Sequence, residues 1–267
     1  MAITSLDTYI AAAKQKARFL KTTAATTIAG IPWSLWATAG SPGAGSFAIG
    51  NTTTGVVPTS ATTGAIALNA FGGGNTGYLS GIDFGCTVAS RLWITDRLWH
   101  AGSILTTSAA TTSFSSQPSY VGRLPGSSYV GLDIFLEVTT AISNTAITIA
   151  VTYTNQAGTG SRSTGNISVQ NFTAGRLVAM PLQAGDTGVQ KIDSVIVNNA
   201  TAAGAINVLV TRPLWSGRVM AANAGDTHGL DRVGLPIVYD TSCIFPMVAG
   251  DSTSSGIPDM LIEIANG

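Results

Sequence analysis

From Thr22 to Ile82 the chain runs for 61 positions without an acidic or basic side chain, on Ala, Thr, Gly, Ser and scattered apolar residues between Lys21 and Asp83. A surface that meets water alone uses charge for solvation and to keep copies apart. A stretch this long without it predicts a segment covered by protein. Turn punctuation at Gly40-Ser-Pro-Gly, Gly45-Ser and the glycines from Gly72 onward, with neither a 3.6 nor a 2.0 period sustained, predicts an extended arm lying on a neighbouring subunit or on its own sheet edges. The chain therefore reads as a piece of a larger assembly.

Composition narrows the partners. Only 10% of the 267 residues are charged, against roughly 25% in an average soluble domain. Low charge argues against a solvated disordered tail. Thirteen basic and thirteen acidic residues cancel, so no global field draws nucleic acid or an anionic membrane. Pro32, Pro42 and the glycines of residues 29–50 break the one stretch with an apolar tone, which excludes a membrane-spanning helix there. The amino terminus lacks the basic start and apolar run of a signal peptide, so synthesis in a reducing cytoplasm is expected. Cys86 and Cys243 read as two buried thiols, with a disulfide between them as the alternative.

Ser5 is placed to cap a helix, with Asp7 in its first turn and Leu6, Ile10, Ala13 and Leu20 near one stripe. Lys14, Lys16, Arg18 and Lys21 fall toward its end, either as docking charges for an acidic partner or as a solvated, dipole-matched helix end. Trp33, Trp36, Phe47 and Phe71 are the candidate anchors of the uncharged arm. From Asp83 onward short β-branched and aromatic runs alternate with Gly, Ser and Asn. Eight strands are expected: 91–99, 129–138, 146–155, 176–183, 191–198, 205–212, 236–247 with a break, and 260–264. The run 146–155 sets Ile147, Ile149, Val151 and Tyr153 against Thr148, Ala150, Thr152 and Thr154, one face in and one face polar. The expected fold is all-β: a jelly-roll-like sandwich over residues 83–267, preceded by a helix and extended arm over 1–82.

Side chains for chemistry are sparse. His100 and His228 are the only histidines, and no G-x-S-x-G elbow occurs. Gly72, Gly74 and Gly77 match a dinucleotide fingerprint in spacing, yet no helix pattern follows to receive a pyrophosphate. Asp133 and Glu137 share one face of a strand, as paired glycosidase carboxylates would, but no aromatic groove flanks them in sequence. The carboxy-terminal aspartates are too scattered for a calcium loop. The chain is read as no enzyme, with neither cofactor nor metal.

The segments Val151 to Thr164 (VTYTNQAGTGSRST) and Met180 to Val195 (MPLQAGDTGVQKIDSV) resemble stretches of tailed-bacteriophage virion structural proteins, capsid decoration or cement proteins among them. The resemblance spans residues 130–212. It implies a β-sandwich, often trimeric, that clamps capsid subunits and supplies no catalytic residues. The expectation that follows is a cement protein on the capsid surface of a virion assembled in the host cytoplasm. Its partners would be a major capsid protein and further copies in a homotrimer, with the basic residues and aromatic anchors above as contacts. The alternative is a tail or fibre protein that reads host glycans, for which Trp93, Trp99 and Trp215 are too dispersed in sequence.

Overall fold

The computed structural model describes residues 3–73 and 75–267; Gly74, and with it part of the glycine fingerprint, lies outside the described residues. Gly77 opens a strand and no helix. In chain order the elements are α1 (Leu6–Ala11), β1 (Ala13–Lys21), β2 (Trp33–Ser34), β3 (Gly40–Ser41), β4 (Gly77–Cys86), β5 (Ser90–Leu105), β6 (Ala110–Ser113), β7 (Asp133–Thr140) and β8 (Ile147–Asn155). There follow β9 (Arg162–Ser163), β10 (Ile167–Val169), β11 (Leu177–Met180), β12 (Val189–Asn198), β13 (Ala205–Val219), β14 (Ala224–His228), α2 (Leu230–Val233), β15 (Ile237–Val238), β16 (Ile244–Gly250) and β17 (Pro258–Asn266). The fold is almost all β, and no described helix is long and apolar enough to cross a membrane.

Three antiparallel sheets form. The first runs β14-β4-β17-β1-β3, with β15 also on β4; the central sheet runs β11-β7-β13-β5-β16-β2; the third runs β10-β8-β12-β6, with β9 on β8. The first and third sheets both pack on one face of the central sheet. Leu92, Ile94 and Trp215 meet Phe84, Met260 and Ile262 in one core. Ile134, Leu136 and Val208 meet Ile149, Val151 and Val195 in another. Alternation along each strand sends these residues to the covered face.

The other face of the central sheet is curled into a barrel. Its terminal strands are joined by residues 32–34: Trp33 bridges Arg176, Leu177 N–H donates to Pro32 O at 3.0 Å, and Ser34 N–H donates to Gly175 O at 2.8 Å. Six strands thus close a ring whose interior holds Trp36, Leu209, Phe245 and Met247. Small barrels of this kind are filled by side chains.

One expectation changes here, and of the two placements expected for the uncharged segment one is found. The helix from Ser5 stops at Ala11, although Ser5 caps it through a reciprocal bond pair with Thr8. Residues 13–21 form β1 instead, paired with β17 from Ala13↔Asn266 to Leu20↔Asp259. The segment's own period explains this: Phe19 is buried while Lys14, Lys16 and Arg18 face water, an alternation that a helix would scatter. The uncharged segment, for its part, is packed onto its own chain. Glycines make the fit possible, since a Cβ at Gly55 would overlap the Trp99 ring and one at Gly175 the Trp33 ring, both at positive φ.

Candidate functional site

The barrel interior is polar at its centre. Arg97 and Glu137 are paired at 2.8 Å with neither side chain exposed. The Arg97 guanidinium lies between the Trp36 and Phe245 rings, 4.2 and 4.4 Å from their centres, and bonds His100 Nδ1 at 2.9 Å. Asn207 donates to Glu137 at 3.3 Å and to Phe47 O at 2.9 Å. Burial would raise the Glu137 pKa; Arg97 outweighs it and holds the carboxyl below its usual range. Burial, with Arg97 adding to it, pushes His100 down to about 3, so the imidazole is neutral. The histidine and carboxylate that the sequence offered for catalysis are thereby packing groups that pin the covering segment.

A second buried cluster lies on the opposite face, where the two cores meet. Asp96 accepts from Ser242 Oγ at 2.8 Å and Cys243 N–H at 2.9 Å, with Arg123 at 3.6 Å and Arg212 at 3.5 Å. Arg123 donates to Arg97 O at 2.7 Å and Thr241 O at 2.8 Å, fastening three segments. Both cysteines are free and buried, and burial lifts Cys243 to about 12. Among the described residues no group of His, Cys, Asp and Glu is arranged to hold a metal.

Two surface features remain. The first is the open mouth of the barrel, a groove of about 500 Å³ walled by Pro32, Trp93, Phe135, Ala179 and Met247, with Asp133 on its rim. Burial raises the Asp133 pKa, and among the described residues no hydrogen bond or ion pair reaches its carboxylate. Sequence alone named Asp133 but not the wall around it, whose residues come from β5, β7, β11, β13 and β16, far apart in the chain.

The second is an end of the molecule whose loops carry no charge; the cation beside them, Arg176, lies with its guanidinium 3.4 Å from the centre of the Phe172 ring. The loops 106–109, 141–146, 170–175 and 199–204 interlock there: Thr201 N–H donates to Thr106 O at 3.0 Å, Ser143 N–H to Ala203 O at 3.1 Å and Asn171 N–H to Ser143 O at 3.1 Å. The side chains of Ser143 and Thr201 also bond. None of these loops contains an acidic or basic residue, while most of their residues are exposed.

The expected contact residues are dispersed. Lys14 donates to Tyr9 O at 3.2 Å, Lys16 lies 3.9 Å from Glu263, and Arg18 pairs with Asp259 at 2.8 Å, all along β1. Lys21 is buried, donating to Thr38 O at 2.7 Å and Pro42 O at 3.0 Å. Trp33, Trp36 and Phe71 are buried in the chain's own cores and Phe47 is half-buried against the barrel. The Trp36 indole donates to Ser46 O at 2.9 Å.

No family model and no curated protein matches the chain. Solved structures that align with it include VP2 of infectious bursal disease virus in T=1 particles, at 8% identity and a TM-score of 0.19 over 95% of this chain and 76% of that one. A VP2 subviral particle of the same virus aligns at 9% identity and a TM-score of 0.18, over 95% and 79%. Likeness at this level carries no argument about function. The expected phage cement protein, with a separate major capsid protein as its partner, is corrected. The resemblance finds no match by sequence, and the solved structures that align are of VP2 of infectious bursal disease virus and not of a phage decoration protein. The aromatic side chains of the uncharged segment are used internally: Trp33, Trp36 and Phe71, expected as contacts to a partner, are buried in the chain's own cores, while residues 22–24, 28–30 and 51–53 of the same segment are exposed.

Proposed function

We propose that this protein is a coat-type structural subunit, non-catalytic, that builds the wall of a particle such as a virion by packing against further copies of itself. The observation that carries this reading is the charge-free end. Covering charged groups requires stripping their water, whereas a surface of Thr, Ser, Asn and Ala is covered at low cost and does not repel its copies.

The strand order supports the reading. Taken as B to I, the strands β5, β6, β7, β8, β10, β11, β12 and β13 give G-D-I-B in the central sheet and F-E-H-C in the third, the two-Greek-key order of a jelly roll. On that assignment the charge-free loops are the B–C, D–E, F–G and H–I connections, all at one end.

The test is sedimentation and negative-stain imaging across a concentration series. The wild-type protein is expected to associate into large particles, and a triple variant Ser108→Glu, Asn144→Glu, Ala202→Glu to form none while keeping an unchanged circular dichroism spectrum. A wild-type chain that remains monomeric at every concentration overturns the reading.

A further inference from the structure

Beyond the barrel mouth, β5 and β13 continue as a lip. Register pairs Trp93 with Ser216 and then sets Arg91 directly opposite Arg218. Like charges in direct cross-strand register repel. The Arg91 guanidinium is 5.8 Å from the centre of the Trp93 ring, while among the described residues no acid, ring or hydrogen bond engages Arg218. Met220, on the same face one step further, is 76% exposed.

The mouth and the lip are one continuous strip, since Trp93 and Ser216 line both. Asp133 sits at the register level of Thr211 and Arg97, and Arg218 at the level of Arg91. Six residues of strand, about 20 Å, separate the two levels. The strip therefore carries an unpaired acid at one end, aromatic walls in the middle and an unpaired base at the other. Such a pattern is complementary to itself when turned by 180°, which is the requirement of a two-fold contact between identical chains.

We infer that two copies pack through this strip about a two-fold axis midway between Asp133 and Arg218, each inserting Arg218 into the partner's barrel mouth to meet Asp133. The guanidinium enters between Trp93 and Phe135, where a cation is attracted by ring faces as well as by the carboxylate. Each copy thus completes the other's site. This contact rests on the self-assembly reading above, and is separate from the charge-free end.

Reciprocal charge variants test it. Asp133→Lys alone and Arg218→Glu alone are each expected to weaken the pairwise step at least about tenfold in sedimentation, because both symmetric contacts become repulsive. Mixed in equal amounts, the two variants are expected to recover a 1:1 pair, since the two substituted positions then meet with opposite charge on one side and the native Asp133 and Arg218 meet on the other. Thermal unfolding checks that each variant is folded. Single variants that associate like wild type, or a mixture that does not recover, overturn the contact while leaving the coat reading standing. A wild-type monomer at all concentrations overturns both.

Discussion

Arg97 and Glu137 meet at 2.8 Å inside a barrel in which neither touches water. Removing one member leaves the other charged and dry, and breaking such a pair costs about 3–5 kcal/mol. Glu137→Ala should lower the urea-unfolding free energy by that order. The double variant Arg97→Met, Glu137→Leu should lose much less than the sum of the single losses, because no charge is left stranded.

Lys21 predicts a stability that rises with alkaline pH. Burial depresses its pKa from 10.5 to about 8. Between those values the unfolded chain binds more protons than the folded one, so unfolding free energy increases as pH goes from about 8 to 10.5. Denaturation midpoints measured across that window should climb for wild type, and the Lys21 share of the slope should vanish in Lys21→Met.

Asp186 predicts the opposite edge of the pH range. It accepts from Arg162 Nε at 2.8 Å, Tyr153 OH at 2.7 Å and Asn155 Nδ2 at 2.7 Å, and the Arg162 bond above all holds its pKa down at about 2. A depressed carboxylate stabilises the fold above its ordinary pKa of 3.8, and that contribution is lost as pH falls toward 2. Acid titration of Asp186→Asn should show a lower stability at neutral pH and a shallower loss between about 4 and 2, as read by circular dichroism.

Gly55 and Gly175 are predicted to resist substitution. Each has positive φ, +64° and +92°, and each lies under a tryptophan ring. Alanine at either should destabilise by about 1–3 kcal/mol from strain and overpacking. Gly30, with positive φ but open space around its Cβ position, separates the two effects and should lose less on the same change.

Much of the strand structure was legible. The runs expected at 91–99, 129–138, 146–155, 191–198 and 205–212 fall on β5, β7, β8, β12 and β13, because period-2 burial writes itself into β-branched alternation. β6 and β10 escaped notice: four and three residues of Ala, Thr, Ser, Ile and Val are too short to show a period. β1 was hidden by a capping signal that belongs to α1 alone, and β4 by glycines that read as a loop. The missing charge in 22–82 was seen correctly, yet it does not say what lies against the segment; here Gly55 lies under Trp99 and Trp33 lies over Gly175, both within the same chain, while residues 22–24, 28–30 and 51–53 are exposed. One sign of the buried clusters was available: Asp96-Arg97 and Glu137 interrupt otherwise apolar strands, and a charge there needs a partner inside. The barrel mouth had no local signature, since Pro32, Trp93, Asp133, Ala179 and Met247 meet only through closure of the ring.

That closure depends on residues 32–34 lying between Arg176 on one side and Val248 on the other, while β1 lies beside β17. On the ribosome, the segment from β1 to β2 has no place to settle until β16 and β17 emerge, more than 200 residues later. Its apolar Trp33, Trp36 and Phe19 must wait uncovered until then, a window in which nascent chains of this protein are prone to stick to one another. Chaperone demand should accordingly be highest before β17 is made, and fall abruptly once it is.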